Sequence, residues 1–156
     1  MVKINPTRRL SEREKAGVYK LWNQEYPVNL RYTCTEDFDL YLSQLSNISS
    51  LLLTEDGEIR GWAFKFEREQ EMWFAIIIDA KLHGRGFGTA LLQELKTEEE
   101  VLNGWVVEQN NYLKINGKGY QSPLGFYLKN EFKILPEKLL ETAFLSAVQI
   151  QWKSEN

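Results

Sequence analysis

A chain of 156 residues, 43% hydrophobic and 26% charged, has the size and balance of one globular domain with a full core, and residues 1–156 read as that single domain. Its formal charge of −3 leaves no broad basic footprint for a nucleic-acid backbone or an anionic membrane, so neither is an expected partner. With Cys34 the one cysteine and His83 the one histidine, an intramolecular disulfide and a cysteine-based metal cluster are excluded, and a histidine-built metal site is not expected. The start, Met1-Val2-Lys3-Ile4-Asn5-Pro6, lacks an apolar leader and points to the cytoplasm.

Ser11-Glu12-Arg13-Glu14 has the pattern of a capping box and predicts a helix over residues 12–23, with Val18, Leu21 and Trp22 on its buried side. Thr35 is placed to cap a second helix, in which Glu36 and Asp37 suit the dipole and Phe38, Tyr41, Leu42 and Leu45 keep helical spacing. Asp56-Gly57 then separates two apolar runs, the signature of a tight hairpin turn that needs positive φ. Along the second run Trp62, Phe64 and Phe66 share one face, with Gly61, Ala63 and Lys65 on the other. A polar turn, Arg68-Glu69-Gln70-Glu71, leads into Trp73-Phe74-Ala75-Ile76-Ile77-Ile78-Asp79. That run shows no polar alternation, so it reads as a strand buried on both faces and the third of three antiparallel strands.

His83-Gly84-Arg85-Gly86-Phe87-Gly88-Thr89 joins this strand to a helix on which Phe87, Leu91, Leu92 and Leu95 share a face. At such a helix start several N–H groups lack intrahelical partners and the dipole is positive, so the turn is a natural anion site. It is not a nucleotide P-loop, because no Gly-Lys-Ser/Thr follows, and one crossover unit cannot supply the doubly wound sheet of a dinucleotide fold. Glu98-Glu99-Glu100 reads as a solvated acidic run. Asn103-Gly104 reads as a turn into a strand over residues 105–109, which makes strand, helix and strand a right-handed crossover with a parallel pair. Residues 110–121 read as an exposed loop. Ser122-Pro123 starts a helix carrying Leu124, Phe126, Tyr127 and Leu128, and residues 132–135 and 144–153 read as closing strands.

The glycine turn, set between a buried strand and an apolar helix, resembles the acyl-CoA pyrophosphate loop of the GNAT superfamily of N-acyltransferases. The family pattern is Gln or Arg, two free positions, Gly, one free position, then Gly or Ala; Gly86 and Gly88 match, and His83 stands first. Gly125-Phe126-Tyr127-Leu128-Lys129-Asn130-Glu131-Phe132 is similar to a late family segment in which a tyrosine precedes a Lys-x-Gly-Phe-like turn, with Glu131 where glycine is usual. The order of elements resembles the family over almost the whole chain. The resemblance implies an α/β fold: a mixed, mostly antiparallel sheet of six to seven strands, splayed between the fourth and fifth and flanked by about four helices.

It also implies a function and a site. Acetyl-CoA would be the co-substrate, with no metal, and a small-molecule or peptide primary amine would attack it directly in a ternary complex. The loop residues His83, Gly84, Arg85, Gly86, Phe87, Gly88 and Thr89 would hold the CoA pyrophosphate, His83 in a binding or capping role. Main-chain groups of Ile76 and Ile78 would pair with the pantetheine arm between the splayed strands. Tyr127 would be the general acid, unless it is a core tyrosine, and Glu71 and Glu108 are candidate bases. Tyr26, Tyr32 and Trp73 would wall an acceptor pocket between the first two helices and the sheet. A monomer or homodimer is expected. The alternative is a non-catalytic acyl-CoA-binding sensor or interaction module.

Overall fold

Pairing starts ahead of the first expected element. In a computed structural model that describes residues 1–142 and 144–155, Val2–Thr7 forms strand β1, which lies antiparallel along the sheet edge beside β2 (Ser46–Glu55). Ala143 and Asn156, within the span read as one domain, lie outside the described residues. Pro6 is tolerated in β1 because an edge strand can do without one ladder N–H.

The helix α1 (Glu12–Glu25) begins at the expected capping box: Ser11 Oγ accepts from Glu14 N at 3.1 Å and Glu14 Oε1 accepts from Ser11 N at 2.8 Å. It outruns the predicted end by two residues and brings Glu25 into a buried position beside Trp22. The helix α2 (Thr35–Ser43) is capped by Cys34, one residue earlier than expected, without a side-chain cap bond. Asp56 and Gly57, at φ 51° and 81°, make the two-residue turn from β2 to β3 (Glu58–Arg68), and β4 (Glu71–Ile78) follows antiparallel.

Alternation along β3 builds two cores. Trp62, Phe64 and Phe66 pack with Val18, Leu21, Trp22 and Phe38 of α1 and α2, while Ala63 on the opposite face joins Leu91, Leu92 and Leu95 of α3 (Phe87–Lys96). The acidic run after α3 is not simply solvated: Glu99 pairs with Lys65 at 2.7 Å, and Lys65 also donates to the Leu95 carbonyl at 3.0 Å. A lysine at a helix C-terminus satisfies free carbonyls there, and Glu99 holds it in place.

Strand β5 is Val101–Val106, earlier than the predicted span, so Asn103-Gly104 is not a turn. Two tertiary contacts override the local signal. Gly104 lies against Phe74, where a Cβ would stand 2.9 Å from the ring, and Asn103, with no exposed surface, spends its whole amide on the two strands that flank it. Its Nδ2 donates to Met72 O at 3.2 Å and Glu71 Oε1 at 3.3 Å; its Oδ1 accepts from the Gln149 and Gln151 amides, both at 2.9 Å. Those glutamines lie on β7 (Ser146–Lys153), which pairs with β5 and with β6 (Lys133–Glu141). Between β5 and β6 runs α4 (Leu124–Lys129), one residue later than expected, with Leu124 N donating to Ser122 Oγ at 3.3 Å. The 110–121 segment is not merely exposed, since Tyr120 is buried and Lys114 pairs with Glu25 at 3.0 Å.

The seven strands form one sheet in the order β1-β2-β3-β4-β5-β7-β6, mixed and mostly antiparallel, with four α-helices among the described residues. The parallel β4–β5 pair touches at Trp73 and Asn103, and the strands then splay. Asn103 therefore sits at the vertex of the opening. Replacing it with leucine would leave buried amide and carbonyl groups without partners, at about 1–3 kcal/mol for each. Chemical denaturation of Asn103→Leu is expected to show a loss of about 2–4 kcal/mol, and a loss under 1 kcal/mol would mean the strands hold their vertex without this clasp. No helix of the described residues is long and apolar enough to cross a membrane.

Candidate active site

The end of β4 is anchored before the glycine turn begins. Asp79 is buried and accepts from Lys81 N at 2.9 Å, with the Arg60 guanidinium at 3.6 Å and the Gln24 amide at 3.3 Å. Burial pushes its carboxyl up, but the Lys81 N–H, Gln24 and Arg60 together hold it below the usual range. A short 3-10 turn, Ala80–Leu82, follows, and its buried Leu82 fixes the base of the loop.

Gly84 and Gly86 take left-handed φ values of +76° and +85°, and no atom lies within 4 Å of where a Cβ would stand at either. Space is therefore open beside the backbone. Gly88 does a different job, since a Cβ there would meet the Phe126 ring at 3.1 Å; it allows α3 and α4 to approach. Gly86 is the N-cap of α3, and the first intrahelical bond runs from Ala90 N to Gly86 O at 3.1 Å. The N–H groups of Phe87, Gly88 and Thr89 precede that bond and have no intrahelical carbonyl to meet.

These groups border a cleft of about 520 Å³, lined by His83, Gly84, Gly86, Phe87, Gly88 and Thr89 from the loop, Ile76 and Ile78 from β4, and Pro123, Phe126 and Tyr127 from the α4 region. Gln121 and Ser122, which carried no site role in the sequence, also line it. Arg85 stands outside the lining, its guanidinium 5.3 Å from the Phe87 ring centroid. Asp79 N donates to Arg60 O at 2.8 Å, so alternation along β4 turns the main-chain groups of Ile76 and Ile78 toward the splay. The Ile78 carbonyl already has a partner, because His83 Nε2 lies 2.8 Å from it. His83 thus caps the strand end, leaving the Ile76 N–H and C=O and the Ile78 N–H as the edge facing the opening.

A second cleft, of about 680 Å³, lies between α1, α2 and the sheet. Tyr26, Tyr32 and Trp73 wall it, and so do Tyr41, Trp105 and Tyr120, which sequence reasoning did not single out. High aromatic content was the available signal, but it fits a core equally well. Ile76, Pro123 and Tyr127 line both clefts, so the two meet there.

Tyr127 is buried, with its ring against Phe74, Phe126 and Phe132 at centroid distances of 5.5, 5.1 and 5.4 Å. Burial, with Tyr120 nearby, pushes its phenol far above the ordinary value; burial raises Tyr120 to about 12. Glu71 and Glu108 line neither cleft. Glu71 is tied to Asn103 at the closed end of the splay, and because β5 ends at Val106, Glu108 falls exposed in the following loop.

A mixed seven-stranded sheet that opens between a parallel fourth and fifth strand, with a glycine turn and helix start at the opening, is the GNAT fold. Solved structures match it over nearly their full lengths. An aminoglycoside 6'-N-acetyltransferase complexed with coenzyme A aligns with a TM-score of 0.69 at 12% identity, over 97% of this chain and 96% of its own. An acyl-CoA N-acyltransferase from Pseudomonas aeruginosa gives 0.70 at 11% identity, over 97% and 99%. The ribosomal-protein-S18-alanine N-acetyltransferase from Escherichia coli gives 0.66 at 16% identity, over 100% and 98%. At these identities the likeness is one of fold. No protein-family model matches the sequence, and no curated protein matches it.

Proposed function

We propose that the protein is an acyl-CoA-dependent N-acyltransferase that moves an acetyl group from acetyl-CoA to a primary amine in a ternary complex. The observation that carries this reading is the meeting of two clefts at Ile76 and Tyr127, one bordered by a helix N-terminus and open glycines, the other by aromatic side chains. CoA fits the first: Gly84 and Gly86 leave room beside free N–H groups for a pyrophosphate, and the Ile76 edge offers a donor and an acceptor to an amide-bearing arm. The structures with the same fold include one complexed with coenzyme A, which supports the assignment.

Acetyl-CoA supplies the acyl group activated as a thioester. The amine nitrogen forms the new C–N bond as the C–S bond breaks, Tyr127 donates its O–H proton to the departing sulfur, the surplus amine proton leaves to water in the open acceptor cleft, and Tyr127 regains a proton from that water. Glu71 and Glu108 receive no role as base, since neither reaches the clefts. An acetyl-CoA-dependent thiol-release screen over amines, amino acids, peptides and aminoglycosides tests the reading. Release with at least one acceptor is expected; no release from any, with CoA binding intact, would leave a non-catalytic acyl-CoA-binding module.

A further inference from the structure

We propose that the acceptor is an elongated amino acid, in which a primary amine and a carboxylate are set apart by an apolar or aromatic body. The proposal rests on the acyl-transfer reading and specifies what fills its second cleft. The charged side chains lining that cleft are Arg68, Lys138 and Glu69, two cations and one anion, so there is no acidic field to gather a polycation. Between them and Tyr127 the wall is aromatic, with Trp22, Tyr26, Tyr32, Tyr41 and Trp105 contributing.

Arg68 is the distinguishing group. Its guanidinium lies 5.1 Å from the Phe66 ring centroid and 5.3 Å from that of Trp73, and it makes no ion pair among the described residues. Two aromatic faces therefore hold a planar fork of donors in place, and neither Glu69 beside it nor Glu71 across the strand pair closes an ion pair with it, an arrangement that leaves the fork open to a carboxylate. Its charge reaches the cleft: burial raises the Tyr41 phenol and Tyr32 adds to that, while Arg68 draws it down.

Spacing then sets the shape of the ligand. The reacting amine belongs where the clefts meet, at Ile76 and Tyr127, and Arg68 is seated on Trp73, three positions earlier on the same strand. At about 3.3 Å per residue the two ends stand roughly 10 Å apart. An α-amino acid that reacts through its α-amine, which shares one carbon with the carboxylate, cannot span them. A para-substituted aromatic amino acid can.

The test compares kcat/KM for para-(aminoethyl)benzoate, its methyl isostere para-methylphenethylamine, L-phenylalanine and kanamycin. The benzoate is expected to exceed the methyl compound and L-phenylalanine by about tenfold, the low end for a charge-assisted hydrogen bond at a cleft mouth open to water. In Arg68→Gln the ratio of benzoate to methyl compound should fall to near one, each variant serving as its own control. Equal or better use of the methyl compound or kanamycin, or a ratio that survives in Arg68→Gln, would overturn the class and leave acyl transfer standing. No thiol release from these four, when the wider acceptor screen does give release, would overturn this proposal and leave acyl transfer standing; no release in either, with CoA still bound, would overturn both.

Discussion

Replacing Gly86 with valine is expected to weaken CoA binding about a hundredfold or more by calorimetry, a change of about 2.7 kcal/mol, with the fold retained. Two effects add. Gly86 sits at φ +85° and ψ 0°, where a β-branched residue is an outlier, and forcing one there costs about 1–3 kcal/mol. The second effect is specific to the ligand: with no atom within 4 Å of the Cβ position, the new side chain meets no core and projects into the space beside the α3 N-terminus. Stability should therefore fall only by the backbone strain, while the anion seat is filled. Gly88→Ala gives the contrast, since its methyl would press on Phe126 at 3.1 Å and disturb the packing of α3 on α4. Gly86→Val with wild-type CoA affinity would remove the loop from the cofactor site.

What was legible in the sequence was what local chemistry determines. The capping box at Ser11, the Asp56-Gly57 turn and the two faces of β3 depend on residues within a few positions of one another. The glycine turn was legible for the same reason, because its chemistry belongs to the backbone. The errors share another cause. Asn103-Gly104 looked like a turn because its partners, Met72, Gln149 and Gln151, lie far away in sequence and only sheet register brings them together. Glu71 and Glu108 were plausible bases as strand-end carboxylates until the observed bounds of β5 put one at the closed vertex and the other in a loop. β1 was missed because Lys3, Asn5 and Pro6 break its apolar pattern, and an edge strand needs little of one. Tyr41 and Tyr120 could not be told from core residues, since an aromatic side chain reads alike whether it faces protein or a cleft.

Changing Tyr127 to phenylalanine should lower kcat by about a hundredfold or more, the range for loss of a positioned general acid, and leave CoA affinity within about twofold. The ring would stay in place, held by Phe74, Phe126 and Phe132. Stability should accordingly change by less than about 1 kcal/mol. Burial raises this phenol far above its ordinary value because it penalises the phenolate. A raised value keeps the proton on oxygen throughout the working range, so ionisation of Tyr127 should produce no alkaline fall in kcat below about pH 10. The rate should instead rise as the acceptor amine loses its proton and then level off. So strongly raised a phenol would be a poor acid toward a thiolate in water, but the same burial penalises a thiolate formed beside it, and the two groups remain matched. A falling limb near pH 8 to 9 that vanished in Tyr127→Phe would contradict that account of the acid. Wild-type kcat in the variant would return Tyr127 to the core and leave the departing sulfur to be protonated by water entering through the splay.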